Sequence, residues 1–277
     1  MKISLAPQSL PQGHKEESQE EKSLLQIQGL SKHFGGVPAL KEVSFGAAAG
    51  QVTALIGPNG AGKTTLLNCL SGVLPPDQGA IRFNGHNLAG LPAHRVARLG
   101  VARTFQNLRL FPRLSVLDNV LAGLTVQAPD SFWQALLRPP GLRHTERRLK
   151  LMALEALDMF GLAGKMDLPA GVLPYGDKKR VELARVFVSR PLLALLDEPV
   201  AGLNPEETGE IAGLLRHLKQ QGKSMLLVEH DMELVMGVAD LVVVLDGGKL
   251  IASGPPEEIR VNPLVLEAYL GRISVVA

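Results

Sequence analysis

Cysteine and aromatic residues are scarce in this chain. The one cysteine, Cys69, excludes an intramolecular disulfide and fits a reducing compartment. Cys69 itself reads as a small packed residue. Aromatics make up 4% of the chain and net charge is only +2, which leaves no aromatic-interleaved basic groove for nucleic acid. Long apolar runs are also missing. The longest uncharged stretch, Val43–Gly62, is broken by glycines, Pro58 and Asn59, so it is a poor membrane span. The start, Met1–Pro7, lacks the apolar centre of a secretory signal. These absences predict a soluble protein on the cytoplasmic side, with any membrane association made through a partner.

What the chain does have is enough apolar content for a full core, 45% over 277 residues. Residues 1–23 are rich in Gln, Glu, Ser and Lys and read as a disordered tail. A domain is expected over 24–271, with a helical subdomain inserted at about 113–190 and a short tail at 272–277. Within the domain, Leu25–Leu30, Lys41–Phe45 and Ala80–Asn84 alternate like strands. Leu149, Met152, Ala153, Ala156 and Phe160 line one face of a helix within the insert. The insert's basic run, Arg143–Lys150, reads as a solvated face, with lipid headgroups or a partner's acidic loop as the lesser reading.

The most informative stretch is Gly57-Pro58-Asn59-Gly60-Ala61-Gly62-Lys63-Thr64-Thr65. It follows an apolar strand, Val52–Ile56, and opens a helix, Leu66–Leu70. That is the context in which G-x-x-x-x-G-K-[ST] binds a polyphosphate. The glycines let backbone N–H groups turn inward, and the helix N-terminus adds a favourable dipole. Lys63 can reach the β- and γ-phosphates, and the Thr64 hydroxyl can ligate Mg²⁺.

Other candidates gain meaning from this loop. Leu192–Leu196 is a buried strand that ends in Asp197 and Glu198. Charges at such a strand end are costly unless a metal or partner meets them. Ligands of open α/β sheets bind at that end. Asp197 suits the Mg²⁺ shell, and Glu198 suits water activation. A second apolar strand, Met225–Val228, leads to His230, placed either to cap a helix or to bond a γ-phosphate. Gln106 follows an apolar strand and is either a loop residue or a ligand for water and Mg²⁺. Phe34 is either a core residue at a strand end or a stacking face for a purine.

In this order the motifs resemble the ATP-binding subunit of an ABC transporter, over about residues 24–271. A P-loop kinase or GTPase would account for Gly57–Thr65 and Asp197, but not for Asp197-Glu198-Pro199 or Glu229-His230-Asp231. The resemblance implies an α/β P-loop fold: an ABC ATPase core with an antiparallel β subdomain and the inserted helical subdomain. It implies ATP and Mg²⁺ as ligands, with Phe34 as the adenine-stacking aromatic and Gln106 as the Q-loop. Asp197 ends Walker B, Glu198 is the catalytic carboxylate, Ala201–Asn204 the D-loop and His230 the switch histidine. Two such subunits would meet head to tail and drive a membrane permease from the cytoplasmic face. A solute-binding protein would act indirectly, and no nucleic acid is expected.

Gly202–Glu207, Glu229–Met232 and the ending Asn262–Gly271 are most similar to the ATPases of branched-chain amino-acid importers. Lipopolysaccharide-export ATPases are the alternative, and a non-transport ABC ATPase acting on nucleic acid or ribosomes is an alternative of another class. One motif departs from the family pattern. Where it has Leu-Ser-Gly-Gly-Gln, this chain has Leu173-Pro174-Tyr175-Gly176-Asp177. Pro174 offers neither hydroxyl nor N–H. Only the Gly176 N–H and the helix start remain to meet a partner's phosphate. Asp177 would repel it, with Lys178, Lys179 and Arg180 as the expected offset. Asn204 stands in place of the usual D-loop Asp. The departure suggests a heterodimer with unequal sites.

Overall fold

The computed structural model describes residues 23–104, 109–127 and 140–270. Two sheets organise them. The first is antiparallel and contains β1 (Ser23–Phe34), β2 (Val37–Ala48), β4 (Gln78–Phe83) and the short β5 (His86–Asn87), in the order β2-β1-β4-β5. The second contains β3 (Val52–Ile56), β6 (Val101–Arg103), β7 (Leu193–Asp197), β8 (Ser224–Val228), β9 (Leu241–Asp246) and β10 (Lys249–Gly254). Its order is β10-β9-β3-β8-β7-β6, parallel except for the hairpin strand β10 at one edge. The fold is the expected α/β P-loop architecture with an antiparallel β subdomain.

Every residue of β3, β7 and β8 is buried. That explains why these strands read as continuous apolar runs instead of alternating ones: a central parallel strand is covered on both faces. One face is covered by α1 (Lys63–Leu70) and the antiparallel sheet, through Leu66, Leu67, Ile27, Ile81 and Phe83 packed with Leu55, Leu195 and Leu226. The other face is covered by helices: α3 (Val116–Leu121), α4 (Pro140–Met159), α5 (Tyr175–Phe187) and α6 (Pro205–Gln220). Within this layer Phe160 stacks on Phe187 at 6.0 Å. The remaining helices, α2 (Ala93–Arg98), α7 (Met232–Val238), α8 (Pro256–Arg260) and α9 (Pro263–Leu270), lie before β6, between β8 and β9, and after β10.

The parallel register determines where chemistry can occur. Val228 of β8 pairs with Leu55 of β3 and with Asp197 of β7. All three strands therefore end at one edge, and the residues that follow them meet there. Helix α5 begins at Tyr175, directly after Pro174. Pro174 fixes an extended N-cap (φ −55°, ψ 158°), the chain winds at once behind it, and Asp177 falls in the dipole-favoured first turn. No helix among the described residues is long and apolar enough to cross a membrane. Residues 1–22, Gln106 and Trp133 lie outside the described residues.

Candidate functional site

The loop after β3 is pinned from below by the terminal hairpin. Gly57 has φ 147°, and a Cβ there would lie 2.1 Å from the Leu245 carbonyl oxygen. Gly62, at φ 103°, caps α1, and a Cβ there would lie 2.5 Å from the Ala39 carbonyl oxygen. Gly60 has φ 80° but open space around it, so its demand is on backbone conformation alone. The Gly248 N–H donates to the Ala61 carbonyl at 3.2 Å and ties the β9–β10 turn to the loop. These positions are where only glycine fits. Pro58, Asn59, Thr64 and Thr65 complete the loop and the first turn of α1, which carries no acidic residue.

Lys63 Nζ donates to the Gly57 carbonyl at 2.6 Å and to the Pro58 carbonyl at 3.1 Å, so its ammonium is held over the loop. Burial pushes its pKa below the ordinary value, while Glu198 and Asp197 oppose the shift. The loop cation and the two β7-end carboxylates are thus electrostatic neighbours.

Asp197 is buried, and burial raises its carboxyl pKa; the Arg103 guanidinium pulls it down and Glu198 pushes it further up. Arg103 Nη2 reaches Asp197 Oδ2 at 3.2 Å, while its Nη1 donates to Asn68 Oδ1 and Ser71 Oγ. Thr104 Oγ1 accepts the Asp197 N–H at 2.8 Å. Glu198 continues the sheet by donating its N–H to the Val228 carbonyl at 2.9 Å. Its φ of 50° is left-handed, an uncommon conformation for a residue with a side chain. His230 Nδ1 stands 4.0 Å from Glu198 Oε1, on an imidazole that is largely exposed.

Behind this pair lies Glu229, fully buried, whose carboxylate accepts the N–H of Val200 at 3.2 Å and of His230 at 3.2 Å. Burial is the main cause of its raised pKa, offset by those backbone donors. Sequence reading overlooked Arg103 and Glu229. Their signal was a charged residue at the end of an apolar strand, the same signal that revealed Asp197.

Phe34 ends β1 and is 51% exposed, so it is not a core residue; its ring face is open. Gly176 sits apart, at the start of α5, buried against Glu207, whose Oε1 would be 2.5 Å from a Cβ on it. The expected charge balance at Asp177 holds in part, through Arg180. Asp177 is buried and paired with Lys165, from outside the motif, and with Arg180 at 3.8 Å. Lys179 points elsewhere, to the Glu198 carbonyl at 3.2 Å. Asn204 serves as N-cap of α6: its Oδ1 accepts the Glu207 N–H at 2.9 Å, and Glu207 Oε2 accepts the Asn204 N–H at 3.1 Å, a reciprocal capping box. Cys69 is buried, and desolvation pushes its thiol up to about 11, which makes it chemically inert at neutral pH.

These residues fit ATP and Mg²⁺. The glycines allow the left-handed turns that let backbone N–H groups face a polyphosphate while the loop packs against the Leu245 and Ala39 carbonyls, and Lys63 supplies the cation. Thr64 and the buried Asp197 offer the hard oxygen ligands that Mg²⁺ prefers. No group of three or more His, Cys, Asp or Glu among the described residues could hold a metal unaided. That suits an ion bound by one carboxylate, a hydroxyl and substrate phosphates.

Comparison with known proteins gives the same picture. Residues 40–201 match the ABC transporter family, and residues 249–273 match the C-terminal family described as branched-chain amino acid ATP-binding cassette transporter. The high-affinity branched-chain amino acid transport ATP-binding protein BraF of Pseudomonas aeruginosa is 43% identical over 249 residues, 90% of this chain and 98% of that protein. LivG of Escherichia coli K12, with the same description, is 42% identical over the same shares. Among solved structures, a nucleotide-free ATP-binding cassette from an ABC transporter superposes with a TM-score of 0.78 at 31% identity, over 89% of this chain and 98% of that one. The ADP conformation of another cassette gives 0.78 at 30% identity, over 90% and 99%. The chain belongs to the ATP-hydrolysing subunits of the ABC transporter family.

Proposed function

We propose that the chain hydrolyses ATP to power uptake of branched-chain amino acids through a membrane permease, from the cytoplasmic face. The observation that carries the chemistry is the convergence of Lys63, Asp197, Glu198 and His230 at one edge of the parallel sheet. The amino-acid class is supported by the names of the relatives and by the C-terminal family match.

In this reading the backbone N–H groups of residues 57–65 and the α1 start bind the phosphates, and Lys63 exchanges the Gly57 and Pro58 carbonyls for β- and γ-oxygens. Phe34 stacks on the adenine. Thr64, Asp197 and Gln106 would hold Mg²⁺, which would supply positive charge to the phosphates. Glu198 orients and deprotonates the attacking water, and His230 donates to the γ-phosphate from beside it. Arg103 steadies Asp197 against the Asn68–Ser71 end of α1.

A second ATPase subunit, in a heterodimer, completes the site, and the Tyr175–Gly176 turn of this chain is lent to the partner. Pro174 without an N–H, and Gly176 buried against Glu207, make that loan a weak one. Asp177 does not add to the repulsion, because Lys165 and Arg180 neutralise it. Disabling the catalytic Glu of each subunit in turn is expected to give unequal ATPase losses; equal losses contradict the asymmetry. The permease docks in the cleft of about 680 Å³ between α2, β6 and α5, where Val73, Val96 and the half-exposed Phe111 give an apolar floor and Arg98, Arg109 and Arg185 a cationic rim. A solute-binding protein delivers the amino acid on the far side. Isolation of the complex in detergent tests this function: a copurifying permease supports it, and ribosomes or DNA in its place refute it.

A further inference from the structure

Lys179 has no task in that scheme, yet it is among the largest side chains buried in the protein, with 1% exposure. A buried ammonium is costly unless something in its surroundings uses it. Its hydrogen bond goes not to a carboxylate but to the backbone carbonyl of Glu198, at 3.2 Å. The same carbonyl accepts the Ala201 N–H at 3.2 Å. Two donors therefore fix the peptide that follows Glu198. This is the residue that holds a left-handed φ of 50° with a full side chain, a conformation that surrounding contacts must maintain.

The lysine does not act from a random place. It sits in the first turns of α5, and that end of the helix is docked on residues 198–207 at further points. Tyr175 Oη donates to the Ala201 carbonyl at 3.3 Å. Gly202 lies under the Tyr175 ring, where a Cβ would be 3.2 Å from Cε1. Gly176 lies against Glu207. Lys179 Nζ is also 6.0 Å from the Tyr175 ring centroid, within reach of a cation–π attraction.

We propose that Lys179 is a positioning residue for Glu198. It locks the left-handed turn that aims the carboxylate, and it joins that turn to the α5 segment that faces the partner's nucleotide. The Tyr175–Gly176 turn and the Glu198 carboxylate then move together, so a nucleotide engaged by α5 on the partner's side is felt at this chain's own site. The proposal rests on Glu198 being the water-activating carboxylate.

The test uses the full chain in its purified transporter complex, with Lys179→Met, Lys179→Gln and Glu198→Gln. Misplacing a catalytic group by a fraction of an ångström to an ångström costs about 10–100-fold in rate. Lys179→Met is therefore expected to lower kcat by about 10–100-fold while KM for ATP stays within about 2-fold. Lys179→Gln keeps a donor and is expected to recover part of kcat. In a Glu198→Gln background, adding Lys179→Met is expected to cost less than about 2-fold more, because the two act as one unit. A Lys179→Met variant with parental kcat overturns the proposal. So does a Lys179→Gln variant that folds and binds ATP but is as slow as a folded Lys179→Met. Should Lys179→Met not fold, Lys179→Gln alone decides: parental KM with a several-fold lower kcat supports the proposal, and parental kcat or a raised KM overturns it. Full turnover in Glu198→Gln alone refutes the catalytic reading of Glu198, separately from any result at Lys179.

Discussion

Replacing Glu198 by Gln separates hydrolysis from binding more cleanly than any other change at this site. The substitution keeps the shape of the side chain and every backbone bond of the residue, including those to Val228 and from Lys179. It removes one negative charge at a position 24% exposed, with His230 Nδ1 at 4.0 Å. Two electrostatic consequences oppose each other. Asp197, whose raised pKa owes part of its shift to Glu198, loses a repulsive neighbour; Lys63 loses an attractive one. Folding stability should therefore change by no more than about 0.5 kcal/mol, the usual range for a partly exposed polar replacement. ATP affinity should hold or rise, since a negative charge leaves the neighbourhood of a triphosphate. Turnover should fall about 10²–10⁴-fold, or roughly 3–5 kcal/mol of barrier, because an amide cannot take the proton of water. Phosphate release, titration with a fluorescent ATP analogue and a thermal melt on the same preparation would measure all three. Turnover within about threefold of the parent, with ATP bound, would refute the role given to Glu198.

Two further changes probe the surroundings. Lys63→Ala removes the ammonium now held at 2.6 Å from the Gly57 carbonyl and should weaken nucleotide binding itself; unchanged affinity in the same titration contradicts the phosphate reading of the loop. Asn204→Ala opens the capping box at the start of α6 and should cost about 1 kcal/mol in urea unfolding, while a stability equal to the parent's would mean the cap contributes nothing.

The glycine loop was legible because its backbone demand is local: Gly57 and Gly62 hold left-handed φ angles, and the distant Leu245 and Ala39 carbonyls add to that demand. Asp197 and Glu198 were legible because two carboxylates at the end of a buried apolar strand are costly unless a cation or ligand meets them. Continuous apolar runs at residues 192–196 and 225–228 also gave away two central strands, which are buried along their whole length at 193–197 and 224–228. Ion pairs across long sequence gaps were not legible. Asp177 meets Lys165, and Arg180 bridges to Glu210, across gaps in sequence that no pattern marks. Of the three charges expected to offset Asp177, Arg180 does pair with it at 3.8 Å, while Lys178 and Lys179 looked like equally natural partners. Helical geometry turned Lys179 toward Glu198 instead, since neighbours two residues apart do not share a helix face. Asn204 departs from the family motif, and in the fold it is the helix cap that Asn204-Pro205-Glu206-Glu207 marks in the sequence.

ATP hydrolysis by this chain drives amino-acid uptake. The most direct test of this coupling is uptake of labelled leucine by proteoliposomes that contain the complete complex and its solute-binding protein, with ATP on the side of this subunit. Uptake is expected to require ATP and to be lost when Glu198 is replaced by Gln. Full ATP hydrolysis in the assembled complex without uptake of leucine, isoleucine or valine would contradict the coupling.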